Sequence, residues 1–328
     1  MMKRLCCFLF CVLTLTLTAC APARSEHVLW HMDTAITVRL YGDGDATATA
    51  LSTADRLLDA LDAKLSATDE SSPIARFNAS ADGTDVALDA ETLALIEQAL
   101  ALSRLTEGAF DITTAPLSAL WQTCEDADTL PTEQQLTAAL ALVGEEHLSL
   151  TDGTLTKDVP AVRIDLGGIG KGHACDVLLT ELGATEGITA ALISMGSNVA
   201  VLGEKPDGTP WRIALRDPND ATAALGYIHL TEGQILSVSG DYERYFTVEG
   251  QQYSHVLDPA TGYPPRNGLR SVAVLCESGA TADALSTALL VMGEDAARAL
   301  YESGALDFEA VFVYDSRVSC TPAIALVP

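Results

Sequence analysis

Basic residues are scarce in this chain. Its 328 residues include 19 Lys and Arg against 45 Asp and Glu, a formal net charge of −26. No broad face can offset phosphate repulsion, which argues against nucleic acid as a partner. A phosphate-bearing ligand would have to be held by local cations, backbone N–H groups or a metal. The acidity otherwise serves solubility. Long apolar runs are also missing: Leu5 to Leu17 are mostly apolar, but too few to span a bilayer. Cysteines at metal-binding spacing are missing too. Cys6, Cys7, Cys11 and Cys20 crowd the N-terminus, and Cys124, Cys175, Cys276 and Cys320 form no C-x-x-C pair. That argues against zinc and leaves isolated buried thiols as the default. No fixed-period repeat and no low-complexity linker interrupts the chain. With 48% hydrophobic and 20% charged residues it reads as globular, long enough for one large domain or two intimately packed ones.

What is present begins at the N-terminus. Lys3 and Arg4 precede the apolar stretch, and Leu17-Thr18-Ala19-Cys20 follows it. This tetrad resembles a bacterial lipobox, in which the cysteine is lipidated and becomes the first residue. The expectation is a lipoprotein signal peptide over 1–19, a lipidated tether over 20–29 with Cys20 as the anchor, and the folded domain over 30–328. An ordinary secretory signal is the alternative, and either implies export. The anchored form would sit on the outer face of the bacterial cytoplasmic membrane.

Periodicity predicts one strand over Trp30–Leu40 and helices over Ala46–Leu65 and Glu91–Leu105. Residues 66–78 and 108–117 read as polar loops, and Thr132 to Gln135 as a capping box for a helix to Leu142. Later strands run in meanders, with a hairpin signal at Glu249-Gly250. Helices over Thr281–Met292 and Asp295–Glu302 precede a closing hairpin in 310–326. Helices in pairs without regular βα alternation indicate an α+β fold.

The densest signal is Arg163-Ile164-Asp165-Leu166-Gly167-Gly168-Ile169-Gly170-Lys171-Gly172-His173. Val162–Leu166 reads as a strand and Ala174–Leu182 as a helix stopped by Gly183. Glycines and a lysine between them make a site for phosphate, or simply a tight turn. The stretch fits neither the P-loop nor the dinucleotide fingerprint. Asp283 and Thr287, four apart on a helix, are an oxygen pair suited to Mg²⁺, though taken alone the pair reads first as an acid complementing the helix dipole beside a core threonine. Arg244, with Tyr242 and Tyr245 beside Gly240, reads as a ligand wall or a solvated hairpin. His255 ends a strand before a loop, where a general base or a group orienting a phosphate oxygen is placed.

Seven blocks in order change the weight of these motifs. Met32-Asp33-Thr34, Ser72 to Asn78, Gly108 to Thr113, Asp165 to Gly172, Ser239 to Arg244, His255 to Gly262, and Asp283 to Ala288 resemble the successive motifs of the ApbE family of FAD:protein FMN transferases. The resemblance runs from about Met32 to Gly293. Two positions depart from it: Asp33 and Ser197 stand where the family has glycine, both near the expected flavin.

The resemblance implies a T-fold-like α+β core of antiparallel sheets and packed helices, with FAD as substrate and Mg²⁺ as cofactor. It implies transfer of FMN from FAD to a threonine or serine hydroxyl of an acceptor flavoprotein, with release of AMP. Gly170, Asp283 and Thr287 would hold Mg²⁺. Met32, Asn78, Asp111, Lys171, Gly196, Arg244 and His255 would contact FAD, and His255 and Lys171 would serve catalysis. Acceptors are expected to carry a D-G-x-[ST]-G-A-T-type motif, which this chain lacks. The alternatives are an FAD pyrophosphatase releasing FMN and AMP, and a non-catalytic FAD-binding lipoprotein.

Overall fold

The computed structural model describes residues 23–328. The signal segment and Cys20 lie outside the described residues. β1 (Ala23–His31) and β2 (Thr34–Gly42) pair over their whole length. The expected single strand over 30–40 is therefore two strands, folded at Met32-Asp33. Both turn residues have positive φ, +50° and +56°, the geometry of a tight two-residue hairpin. Residues 23–29, read as part of the tether, belong to β1.

α1 (Gly44–Leu65) buries Ala50, Ala54, Leu58, Leu61 and Leu65, an apolar stripe at helical spacing. α2 (Pro73–Ala79) replaces part of the expected 66–78 loop. Ser72 caps it through Ile74 and Ala75 N–H, and Pro73 opens it. β3 (Val86–Ala87) and α3 (Ala90–Leu105, capped by Asp89) follow. α4 (Ala115–Asp126) starts inside the other expected loop, and α5 (Glu133–Leu140) begins with the Thr132–Gln135 capping box. β4 (Leu148–Thr151) and β5 (Thr154–Lys157) form a small sheet with β3 in the order β3-β5-β4. Residues 162–166 form no strand and join no sheet. α6 (Gly170–Ala184) starts four residues earlier than expected and runs through Gly183.

The remaining elements are β6 (Ile188–Met195), β7 (Asn198–Leu202), β8 (Trp211–Asp217), β9 (Asp220–Leu230), β10 (Ile235–Gly240), β11 (Tyr245–Val248), β12 (Gln251–Ser254), β13 (Leu269–Cys276), α7 (Gly279–Met292), α8 (Glu294–Ser303), β14 (Glu309–Tyr314) and β15 (Val318–Cys320). An eight-stranded sheet in the order β1-β2-β6-β7-β10-β13-β14-β15 is the centre of the molecule. Every recorded strand pair is antiparallel, so the α+β expectation holds.

Away from β1 the sheet is largely covered on both faces, and its residues alternate accordingly. Ile36, Val38, Ile193, Met195 and Ala200 face α1 and α6, while Val272, Val274, Ala310 and Phe312 face α7 and α8. The intervening residues Val201, Leu236, Ala273, Val311 and Val313 meet the β8–β9 hairpin through Trp211, Leu215, Ile228 and Leu230. A satellite cluster joins α4 and α5 to the β11–β12 hairpin through Trp121, Leu136, Tyr253 and Leu257. It fixes the base of the loop that begins at His255. The four cysteines from Cys124 to Cys320 are free thiols.

Candidate active site

The site forms where α6 starts, α7 passes beneath it and β10, an interior strand of the sheet, closes the floor. α6 and α7 meet backbone to backbone. A methyl group at Gly172 would lie 1.9 Å from the Gly279 carbonyl oxygen, and one at Gly279 would lie 2.3 Å from the Gly172 oxygen. Only glycine at both crossings allows this approach. Asp176 on α6 then accepts from Gly279 and Ala280 N–H at 2.6 and 2.9 Å, satisfying the open donors of α7. Burial raises the pKa of the Asp176 carboxyl, and these bonds oppose the shift.

The close crossing brings Asp283 under the first turn of α6. Asp283 is 5% exposed. Its Oδ2 accepts from Gly172 N–H at 2.9 Å, and its Oδ1 from Asn198 Nδ2 at 3.1 Å and Ser237 Oγ at 3.4 Å. Around it, Ser239 Oγ lies 3.0 Å from Thr287 Oγ1 and 2.8 Å from Ser286 Oγ. Among the described residues no basic side chain pairs with Asp283. Asn198 Oδ1 is buried and has no partner.

A buried carboxylate with neutral neighbours and one orphaned amide oxygen is a donor set of hard oxygens, which fits a cation such as Mg²⁺. No group of three His, Cys, Asp or Glu is assembled among the described residues. A metal here would therefore lean on hydroxyl, amide and backbone oxygens as well as on Asp283. Asn198, Ser237, Ser239 and Ser286 were not among the sequence candidates. The signal that could have found them is the period-two alternation of β10, which aims Ser237 and Ser239 at the face of α7 that carries Asp283.

The glycine-rich turn is held from behind. Asn78 Nδ2 donates to the Ile164 carbonyl at 2.9 Å, and Ile164 N–H donates to Asn78 Oδ1 at 2.8 Å. Asp165 N–H donates to the Ile112 carbonyl at 2.8 Å. Asp111 Oδ1 accepts from Thr113 N–H and Oγ1 at 2.7 and 2.6 Å. Burial pushes the Asp111 carboxyl up in pKa, against the pull of those two bonds. Asn78 and Asp111, expected as flavin contacts, thus spend hydrogen-bonding capacity on shaping the turn.

The other candidates converge in front of it. The Met32 methyl lies 3.4 Å from where a Gly170 Cβ would be, and Lys171 Cδ lies 3.9 Å from the equivalent point on Gly196. Lys171 Nζ donates to the Gly167 carbonyl at 2.7 Å. Met32 is held in its left-handed conformation by a bond from its N–H to Asp62 Oδ2 at 3.0 Å. Asp33 also sits at positive φ, a conformation that Asp tolerates better than most residues. Ser197 follows Gly196 in the turn from β6 to β7, and only Gly196 needs positive φ there, +57°. The serine fits that turn without strain.

His255 follows β12 and is partly open to solvent. Its Nδ1 lies 3.0 Å from the Arg244 carbonyl. A carbonyl only accepts, so Nδ1 carries the hydrogen and Nε2 presents its lone pair. Burial lowers the pKa of the imidazole; the carbonyl contact opposes this, and the charges of Arg244 and Lys171 add to it. The same two cations, with Arg216, act on Glu243, whose pKa burial raises. Arg244 makes no ion pair among the described residues, so a local positive edge faces the site in an acidic protein. This arrangement can hold a polyanion, seat a hard cation beside it and offer a neutral imidazole as base.

The ApbE family model matches residues 32–312. The FAD:protein FMN transferase of Vibrio cholerae serotype O1 is 38% identical over 251 residues, covering 76% of this chain and 75% of that one. A Klebsiella pneumoniae protein of the same name is 34% identical over 290 residues, covering 86% and 83%. The solved structure of flavin transferase ApbE from Vibrio cholerae superposes with a TM-score of 0.81 at 32% identity, over 92% of this chain and 97% of that one. The ApbE protein of Thermotoga maritima gives 0.81 at 31% identity, over 93% and 97%. On a match of this extent in both sequence and fold, the chain belongs to the ApbE family.

Proposed function

We propose that this protein is an FAD:protein FMN transferase. The observation that carries the reading is the buried Asp283 seated against the glycine-rich start of α6, with Lys171 and His255 beside it. The names of the relatives support the same activity.

In this reading the acceptor threonine or serine oxygen attacks the FMN-side phosphorus of FAD. The P–O bond to the AMP half breaks, AMP leaves, and the hydroxyl proton passes to His255 Nε2. Lys171 bears on the phosphates, where charge develops. Mg²⁺, when bound by Asp283, Thr287 and the Gly170 carbonyl, supplies charge neutralisation on the pyrophosphate. Met32, Gly196 and Arg244 contact FAD, while Asn78 and Asp111 stiffen the turn behind it. The acceptor carries a D-G-x-[ST]-G-A-T-type segment. The protein is exported and held by acylated Cys20 on the outer face of the cytoplasmic membrane.

The test is the intact mass of an acceptor domain incubated with the protein, FAD and Mg²⁺. A gain equal to covalent FMN, abolished by EDTA, is expected. Free FMN and AMP with an unmodified acceptor would make water the nucleophile and the protein a pyrophosphatase. FAD left unchanged would reduce it to a flavin carrier.

A further inference from the structure

The two most exposed large apolar side chains recorded are Trp30 at 74% and Val28 at 58%. They are two residues apart on β1, so both point from one face of the sheet. The opposite face of β1 is occupied. Leu29 packs on the core, and His31 bonds Asp55 and Asp59 of α1 at 2.9 and 3.3 Å. Exposed Ala35 stands directly across from Trp30. The remaining exposed apolar side chains, such as Leu105, Leu130 and Val318, are scattered over separate elements. Charge on the strip is nearly balanced, because Arg24 and Arg39 both meet Glu26 at 2.7 Å. In a chain of net charge −26 this strip can approach anionic headgroups without strong repulsion.

We propose that the outer face of β1 and β2 lies on the lipid surface, with Trp30 and Val28 at the level of the headgroups. The proposal rests on the reading of Cys20 as the acylated residue. Only two residues, Ala21 and Pro22, separate Cys20 from the start of β1 at Ala23, a reach of about 10 Å when fully extended. A tether that short holds β1 against the bilayer instead of letting the domain swing free. Val28 and Trp30 share their face with Arg24 and Glu26, so the strand can lie flat with both apolar side chains down. A tryptophan body that is apolar at one end and polar at the other suits that depth.

Tryptophan fluorescence reads this contact directly. Of the chain's three tryptophans, Trp121 and Trp211 are 5% and 2% exposed, so a surface quencher reports Trp30. The full mature protein, extracted from membranes, would be reconstituted on phosphatidylcholine vesicles with brominated acyl chains. Expected are a blue shift, quenching by bromine and a several-fold loss of iodide quenching. Each of these should be absent in Trp30→Phe. Val28→Glu should stay membrane-bound through its acyl chains yet regain iodide access. Acylated protein whose Trp30 stays fully open to iodide on vesicles would overturn the proposal and leave the anchor reading intact. A mass without acyl chains at Cys20 would remove the anchor reading and the tether argument with it. Protection that grows with protein concentration in detergent alone would assign the face to a second copy and overturn the proposal.

Discussion

Two side chains separate chemistry from scaffolding in this site. His255 has its Nδ1 hydrogen spent on the Arg244 carbonyl and its pKa held down, first by burial and further by the Arg244 and Lys171 charges. A base acts above its pKa. The acid limb of the transfer rate is therefore expected below the ordinary histidine range of about 6.5. His255→Ala is expected to slow transfer by about 10²–10⁴-fold with FAD binding nearly unchanged. A rate within a factor of two of wild type in single-turnover assays would exclude the role. Asp283 carries the metal argument. Mg²⁺ at about 100 times its Kd is expected to stabilise the folded protein by about 2.7 kcal/mol. EDTA should reverse the thermal shift, and Asp283→Asn should abolish it. An undiminished shift in Asp283→Asn would place the metal elsewhere.

At the scale of elements, the α6–α7 crossing is what sequence periodicity could not reveal. Gly170, Gly172 and Gly183 read as a turn and a stop, yet all three lie within α6. Propensity disfavours glycine there, but the close approach of Gly279 requires it at Gly172. Gly172→Ala is expected to cost about 1–3 kcal/mol or more, because the obstacle is rigid backbone. It should also weaken Mg²⁺ binding by shifting Asp283. Differential calorimetry with and without Mg²⁺ reads both effects, and an unchanged melting temperature would show that the helices can part freely. The Met32-Asp33 turn was hidden for a different reason. Met32 is no turn former and Asp33 alone is a weak turn signal, and the β-branched Thr34, Ile36, Thr37 and Val38 continue the strand pattern directly after it. The hydroxyl floor of β10 was hidden because a sheet brings together residues far apart in sequence. The capping box at Thr132, the helices α1, α3, α7 and α8, and the Glu249-Gly250 hairpin were legible because their signals are local.

The far end of the sheet is fastened to α8 through one carboxylate. Glu294, at the start of α8, accepts from Arg298 and Ser319 at 2.9 and 2.7 Å and from Tyr314 at 3.0 Å, and pairs with Arg317 at 2.8 Å. Burial pushes its carboxyl up, but these bonds outweigh burial and hold its pKa at about 2, against an ordinary 4.5. Protons then bind the unfolded chain more readily than the folded one. The stabilisation is complete above pH 4.5 and is lost as pH falls toward 2. The melting-temperature gap between wild type and Glu294→Gln should be widest above pH 4.5 and close toward pH 2. A gap independent of pH would show that the carboxylate charge is not what fastens α8 to β14 and β15.

For the whole molecule, two opposing charge patterns coexist. The chain carries 26 more negative than positive formal charges, while Lys171, Arg216 and Arg244 gather around Glu243 beside the site. The excess was legible from composition, and so was the need for a local cationic site to hold phosphate. Where the cations meet was not legible, since they come from α6, β8 and the turn after β10. The general excess repels itself, and raising ionic strength from about 0.01 to 0.15 M shortens the screening length from about 30 to 8 Å. The fold should therefore gain stability with salt, by a few degrees in melting temperature. The cleft should respond in the opposite sense, because its attraction for a polyanionic substrate is screened by the same ions. Measured together over one NaCl series, melting temperature should rise while FAD affinity falls. A parallel fall in both would mean that local pairs such as Arg270 with Asp241 and Asp315, at 3.0 and 2.5 Å, outweigh the long-range repulsion.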